Sequence, residues 1–386
     1  MQPDKATDVT RSGSPVERRK RFALALPCTL SISETAVFLT LASMFLAACA
    51  AALALRMGRL FVHFITSIHP DELVGFLSFI AVVALVYLSA AVFLIEMVVK
   101  RLRRQHVLRK GWSAWLRRSV LVLAATGVAC MAYGYFVEPY WPDVTRTTVA
   151  TPRLPAGSRP IRIVHISDLH CDPVPRLEER LPDLVKRQHP DLILFTGDAI
   201  NSPAGLPVFR RCLTELSAIA PTYAVRGNWD AFYWNDLDLF GKTGALELKG
   251  EAISLTVNGN RLCVAGAPVG QPGAKEKALS AVPPGMLSIF LYHYPSAIVE
   301  AAQAKIDLLC AGHTHGGQVA LPLYGALITL SKLGKQYEAG LYRLQDTWIY
   351  VTRGIGMEGG PAPRVRFCAR PEISVIDLVP ESARPR

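Results

Sequence analysis

Ala311-Gly312-His313-Thr314-His315-Gly316-Gly317-Gln318 decides how this 386-residue chain is read. It follows an apolar run, Ile306 to Cys310, with the length and composition of a short buried strand. The two imidazoles are therefore expected on a loop at a strand's carboxyl end, where α/β folds place their ligands. Two His at i and i+2 with small neighbours can turn toward one ion cluster, and the glycines allow a tight turn and close backbone approach. A His-x-His pair alone is also what a chance surface loop supplies, because His serves many roles. Its company upstream decides between the two.

That company is Asp168-Leu169-His170, Gly197-Asp198, Gly227-Asn228-Trp229-Asp230 and His293. Each follows a β-like segment: Ile161 to Ile166, Leu192 to Thr196, Thr222 to Val225 and Leu287 to Tyr292. Five strand ends thus deliver Asp168, His170, Asp198, Asn228, His293, His313 and His315 to one sheet edge. Oxygen and imidazole donors without thiolates suit manganese, iron, zinc or a similar divalent ion, not a structural Cys-type zinc site. Any one of these motifs also reads as a turn or cap, since Asp, Asn and Gly favour turns. Five in succession are not explained that way.

The ordered set D-x-H, G-D, G-N-x-D, H and G-H-x-H resembles the calcineurin-like metallophosphoesterases. The G-H-T-H-G-G-Q form, with Arg353-Gly354-Ile355-Gly356 and Arg370-Pro371-Glu372-Ile373 closing the chain, looks like the bacterial membrane-associated branch of YkuE and YaeI type. The resemblance covers Arg162 to Leu378 and implies an α/β four-layer sandwich, two packed sheets flanked by helices. It also implies two divalent ions about 3.5–4 Å apart that share a hydroxide and clamp the phosphate oxygens during in-line displacement. By that resemblance Asp198 bridges the ions, Asp168, His170 and His315 complete one site, and Asn228, His293 and His313 complete the other. Asp198, Asn228 and His293 are the residues expected to act most directly in catalysis. A neutral amide oxygen from Asn228 binds a hard cation without adding negative charge beside an anionic substrate.

One position departs from the family pattern. Many members read G-N-H, and the His can protonate the leaving oxygen; here the residue is Trp229. Losing that acid hurts most for a basic alkoxide leaving group, which favours a phosphodiester or pyrophosphate bond over an alkyl monoester. Trp229 and the nearby Arg226 are assigned to substrate binding. The cluster Trp229, Phe232, Tyr233, Trp234 reads equally as a stacking surface for a base, the wall of an acyl groove, or core. His165, inside the first strand, is read as structural, Cys263 and Cys310 as small buried hydrophobes, and Cys171 beside His170 as disfavoured for a soft extra ligand.

Composition shows that more than a globular domain is present. The chain is 51% hydrophobic with mean hydropathy +0.25. Thr35 to Leu55, Val74 to Ile95 and Ser119 to Val137 carry no charge except at their margins and are apolar all round, as expected of three transmembrane helices. The net charge of +11 is concentrated at one end: 16 of the 42 basic residues but only 7 of the 31 acidic ones lie at or before Arg118. That distribution excludes a nucleic-acid footprint and reads as an orientation signal. Arg18 to Arg21 precede the first span, and eight basic residues from Lys100 to Arg118 separate the second and third. The basic amino-terminal segment 1–34 and this loop are therefore expected in the cytoplasm, with the catalytic domain on the outer, periplasmic side of the inner membrane.

The remaining organisation follows: a transmembrane region over 35–137, a Pro-containing tether over 138–160, a metallophosphoesterase domain over 161–379 and a tail over 380–386. Eight cysteines without a C-x-x-C pair define no disulfide framework. The expected function is a membrane-anchored phosphoesterase whose substrate is lipid-linked or a nucleotide, in contact with membrane lipids. Cleavage of a UDP-diacylglucosamine-type pyrophosphate is the sharpest version, although relatives with that activity work in the cytoplasm. The alternative is a catalytically weak receptor or scaffold on the same fold. A transport role is disfavoured by the scarcity of charge within the spans.

Overall fold

The computed structural model describes residues 68–104, 112–359 and 364–381. Two long helices come first, α1 (Pro70–Leu102) and α2 (Trp112–Phe136). Among the described residues these two are long and apolar enough to cross a membrane; the expected span over 35–55 lies outside them. Both run past the limits expected from the apolar stretches. Pro70 with Asp71 and Glu72 gives α1 a favourable first turn, Lys100 and Arg101 suit its last turn, and Glu96 pairs with Lys100 and Arg117, so the charged margins extend the helices instead of ending them.

The chain then makes a 3₁₀ turn at Glu138–Tyr140 and enters β1 (Asp143–Thr151). This corrects the reading of 138–160 as a tether: the segment holds an edge strand paired in parallel with β14 (Glu372–Pro380) along its whole length. Its alternating Thr, Val and Ala residues are β-formers, a signal that the flanking prolines obscured.

The first sheet has the order β1-β14-β2-β3-β4-β5, with β2 at Ile161–Ile166, β3 at Leu192–Phe195, β4 at Thr222–Ala224 and β5 at Leu246–Glu247. The second has the order β12-β13-β9-β8-β7-β6, with β6 at Glu251–Val257, β7 at Asn260–Gly266, β8 at Leu287–Leu291, β9 at Leu308–Ala311, β12 at Gly340–Leu344 and β13 at Thr347–Val351, while β10 (Ala320–Leu321) and β11 (Gly325–Ala326) form a separate two-stranded ribbon. β6 and β7 form a hairpin, with Asn258 at φ 51° and Gly259 at φ 81° supplying the left-handed turn that an Asn-Gly pair favours.

Three cores explain the layering. Ile161, Ile163, Leu192 and Leu194 face Ile289, Leu291 and Leu308 between the sheets. On the other face of the first sheet Val164, Ile166, Ile193 and Phe195 pack on α3 (Leu181–Lys186) and α4 (Leu206–Ser217). Phe290, Leu309 and Ile349 pack on α6 (Ala274–Ser280) and α7 (Ile298–Gln303) beyond the second sheet. Successive side chains in β2 and β3 thus serve two cores, as the two-residue strand period requires. The result is helix, sheet, sheet, helix, with the parallel strands β2, β3, β4, β8 and β9 all ending at one edge.

Candidate metal centre

At that edge the loops after β2, β3 and β4 are laced together by their own backbones. Asp168 N–H donates to Gly197 O (2.9 Å) and His170 N–H to Asp198 O (3.0 Å). Asp230, in the helix α5 (Asn228–Tyr233) that opens after β4, accepts from the N–H groups of Asp198 (2.8 Å), Ala199 (2.9 Å) and Gly227 (2.9 Å). One carboxylate therefore locks two ligand loops together. Gly197 is required where they meet, since a Cβ there would stand 2.2 Å from Gly227 N.

Five of the seven expected ligands, Asp168, His170, Asp198, His313 and His315, have positive φ between 41° and 73°. Such backbone costs about 1–3 kcal/mol per residue and persists only where its surroundings fix it, a pattern concentrated at functional sites.

The side chains converge. His170 Nε2 lies 3.6 Å and His293 Nε2 3.2 Å from Asp198 Oδ2, so this carboxylate stands between an imidazole of each expected site. His315 Nε2 is 3.4 Å and His293 Nε2 3.9 Å from Asp168 Oδ1. Asp168, His170 and His315 form one compact group able to hold a metal, and Asp168, Asp198 and His293 another. His313 stands beside them, its ring 5.2 Å from that of His293. Asn228 begins α5 at the same edge.

Hydrogen bonding fits a metal. His170 Nε2, His293 Nε2 and Asn228 Oδ1 are buried without a hydrogen-bond partner, a costly state for polar atoms unless a cation meets them. The opposite ring nitrogens are occupied: His170 Nδ1 by Asn201 Oδ1 (3.0 Å), His293 Nδ1 by Thr196 O (2.7 Å) and His313 Nε2 by Leu330 O (3.0 Å). Such outer partners fix the ring orientation and leave the other nitrogen free for an ion.

Electrostatics points the same way. Burial pushes His170 down to about 4 and His313 to about 3, and it holds His315 well below its usual range with help from the nearby His170 and Arg366 charges. These rings are neutral at pH 7, the form that binds metals. Burial pushes Asp168 up to about 6, with His293 opposing and Asp198 adding. Burial works against charge on both Asp198 and His293, yet their mutual attraction at 3.2 Å wins, leaving Asp198 at about 2 and His293 at about 9. The pair is therefore ionised, and a divalent cation held at His293 Nε2 would take the place of its proton.

Residues the sequence left aside hold this shell. Arg366 is fully buried; its guanidinium donates to the carbonyls of Gly356 and Ala369 (2.7 Å to the latter) and to Arg353 O (2.9 Å), and it lies 3.4 Å from His315 Nδ1. The 353–356 loop braces Asp168 in turn, through Gly356 N–H to Asp168 O (2.6 Å). Glu358 accepts from Trp229 Nε1 (3.1 Å), and burial raises its carboxyl to about 7. Asn201, Arg366 and Glu358 fall in no recognisable motif, and only the three-dimensional fold brings them here.

Arg226 is a correction. Its guanidinium is taken up by Glu247 (2.7 Å) and by the carbonyls of Trp234 (3.1 Å), Asn235 (3.3 Å) and Leu237 (2.8 Å), so it pins a loop and does not face substrate. Trp229 does line the cavity, edge-on to His170 at 5.3 Å, while its backbone N–H donates to Asp198 Oδ1 (2.9 Å). Trp234 turns away and packs against the core below β3. His165 is structural, with Nε2 at 2.8 Å from Thr196 Oγ1, and Cys171 belongs to the core with Ile200. Beside Asn228 and His313 opens a cavity of about 530 Å³, walled by Trp229, Phe232, Tyr233, Tyr292 and Tyr294.

Comparison with known proteins agrees with this geometry. Residues 161–317 match the calcineurin-like phosphoesterase model. The chain is 33% identical over 266 residues to the metallophosphoesterase YkuE of Bacillus subtilis, covering 64% of this chain and 89% of that protein. It is 30% identical over 281 residues to the phosphodiesterase YaeI of Escherichia coli, covering 68% and 98%. A bovine transmembrane protein with a metallophosphoesterase domain is 29% identical over 290 residues, covering 68% of this chain and 62% of that one. On motif, fold and relatives together, the chain belongs to the calcineurin-like metallophosphoesterase family.

Proposed function

We propose that this chain is a membrane-anchored, dinuclear-metal hydrolase of phosphodiester or pyrophosphate bonds acting on a lipid-linked or nucleotide substrate. The observation that carries the reading is the convergence of two orphaned buried imidazole nitrogens, His170 Nε2 and His293 Nε2, on Asp198 Oδ2, with a third orphaned atom, Asn228 Oδ1, at the same sheet edge beside an aromatic-walled cavity. Asp168, His170, Asp198 and His315 would hold one ion, and Asp198, Asn228, His293 and His313 the other. Two such ions supply Lewis acidity and a nucleophile drawn from water at neutral pH.

The chain's own residues do the rest. Asp198, its Oδ1 fixed by the Trp229 N–H, presents Oδ2 between the two imidazoles. Trp229, Tyr233 and Tyr294 line the cavity beside the site, where a bound substrate packed on them would displace water and strengthen the charge interactions within. A membrane location is supported by the two long apolar helices and by relatives named as transmembrane proteins. The Pro70 end of α1 and the Phe136 end of α2 adjoin the catalytic domain, whereas Lys100, Arg101, Arg103, Arg104, Arg117 and Arg118 cluster toward their other ends. By the positive-inside rule this distribution supports an outer-side location for the catalytic domain.

The test is hydrolysis by purified full-length protein in detergent, on nitrophenyl phosphate, a bis-nitrophenyl phosphodiester and a UDP-linked pyrophosphate, with manganese, iron or zinc. Turnover of diester or pyrophosphate with two ions per chain supports the proposal. Two ions bound without turnover on any of them favours the receptor reading, and no metal uptake rejects both site assignments.

A further inference from the structure

Two acids stand in the first turn of α1, and they behave differently. Asp71 has a 94% exposed side chain. Glu72, the next residue, is 2% exposed. Attraction to a helix amino terminus needs no burial, and removing a carboxylate from water is costly unless its oxygens are engaged. Both are: Glu72 Oε1 accepts from the hydroxyl of Thr329 (2.6 Å) and Oε2 from its backbone N–H (3.3 Å). Thr329 is itself buried, and its hydroxyl oxygen accepts from Ser331 N–H (3.3 Å).

Between Thr329 and Ser331 lies Leu330, at φ 56°. A leucine seldom takes that conformation, which costs about 1–3 kcal/mol. What it achieves is the placement of one carbonyl: Leu330 O lies 3.0 Å from His313 Nε2. With Nε2 so engaged as donor, His313 presents Nδ1 to the metal centre. A continuous set of contacts thus runs from the first turn of α1 to an imidazole of the G-H-T-H loop.

We propose that Glu72 is a positioning residue of the metal centre: by clamping Thr329 it holds the strained Leu330 carbonyl that fixes the ring and tautomer of His313. Residues outside the catalytic domain as read from sequence therefore complete one ion site. The inference rests on the reading that His313 ligates a divalent ion, and the experiment separates the two.

Full-length protein in detergent is stripped of metal and titrated with cobalt(II), following both stoichiometry and the visible absorption of each bound ion. Glu72→Ala and Thr329→Val are each expected to weaken one of two ions by roughly 10-fold or more, the range seen when an outer partner of a ligating His is removed, and to alter that ion's spectrum alone. Thr329→Ser keeps the hydroxyl and restores the wild-type titration. Glu96→Gln, which removes an ion pair at the far end of the same helix, leaves both ions unchanged. If Glu72→Ala does not fold, Thr329→Val against Thr329→Ser decides. Wild-type affinity for both ions in Glu72→Ala or Thr329→Val overturns the proposal, as does equal weakening of both. Failure of the wild-type chain to bind two ions overturns the dinuclear reading instead.

Discussion

The loops of the first sheet and the G-H-T-H loop of the second bring ligands to the same place by different means. The first set is braced from within: Asp230 ties the loops after β3 and β4, and backbone bonds tie β2's loop to β3's. The second leans on neighbours from elsewhere. His313 rests on Leu330, whose segment is clamped by Glu72 of α1. His315 is backed by Arg366, whose N–H donates to Gly134 O of α2 (2.9 Å), while Glu138 just beyond that helix accepts from Cys368 N–H (3.0 Å) and Ala369 N–H (2.7 Å). One half of the site is therefore a property of the domain, and the other half depends on the helices.

Substitutions can break that contrast at graded depths. Asp198→Asn, which removes the carboxylate shared by both halves, is expected to reduce hydrolysis to background and to lose both ions, measured by turnover and metal analysis. Asp230→Ala strikes the self-braced half. It leaves three backbone N–H groups buried without an acceptor and is expected to cost about 2–4 kcal/mol of stability, read from thermal unfolding of the metal-free protein. Gly134→Val strikes the helix-braced half. Its first carbon would stand 2.9 Å from Arg366 O, and the overpacking is expected to cost about 1–3 kcal/mol, with weaker metal retention as the sign that the strain reaches His315. Unchanged retention would confine the damage to the helix contact. Trp229→His sharpens the chemistry: restoring an acid beside the leaving group is expected to raise monoester turnover relative to diester by about 10-fold. An unchanged ratio would show that leaving-group protonation is supplied elsewhere, with Glu358 the nearest candidate.

What could be read from the sequence follows the same division. The seven expected ligands, the strand ends that carry them and the Asn-Gly turn between β6 and β7 were legible because each is a local pattern, an apolar run ended by Gly, Asp, Asn or His. Glu72 carries no local signal of its role, because its partner Thr329 is 257 residues away in the chain. Glu358 and Arg366 come from a segment without periodicity, and their roles exist only once the fold brings them beneath His315 and beside Trp229. Arg226 misled because an arginine next to a ligand motif suggests phosphate; the carbonyls of Trp234, Asn235 and Leu237 had no sequence signal. The strand β1 was hidden by prolines on either side of it.

That strand has a further consequence. Only Val137 to Pro142 separate the last turn of α2 from β1, and Glu138 among them is buried. Helix and sheet edge thus meet without slack, as two parts of one casting, and the cavity mouth keeps a set height and heading relative to the helix axis. Helices and head are not interchangeable modules. Grafting this domain onto foreign helices through a flexible spacer would change which surfaces it can reach, and a chain that exchanges α1 and α2 must exchange the loops at Thr329 and Arg366 with them.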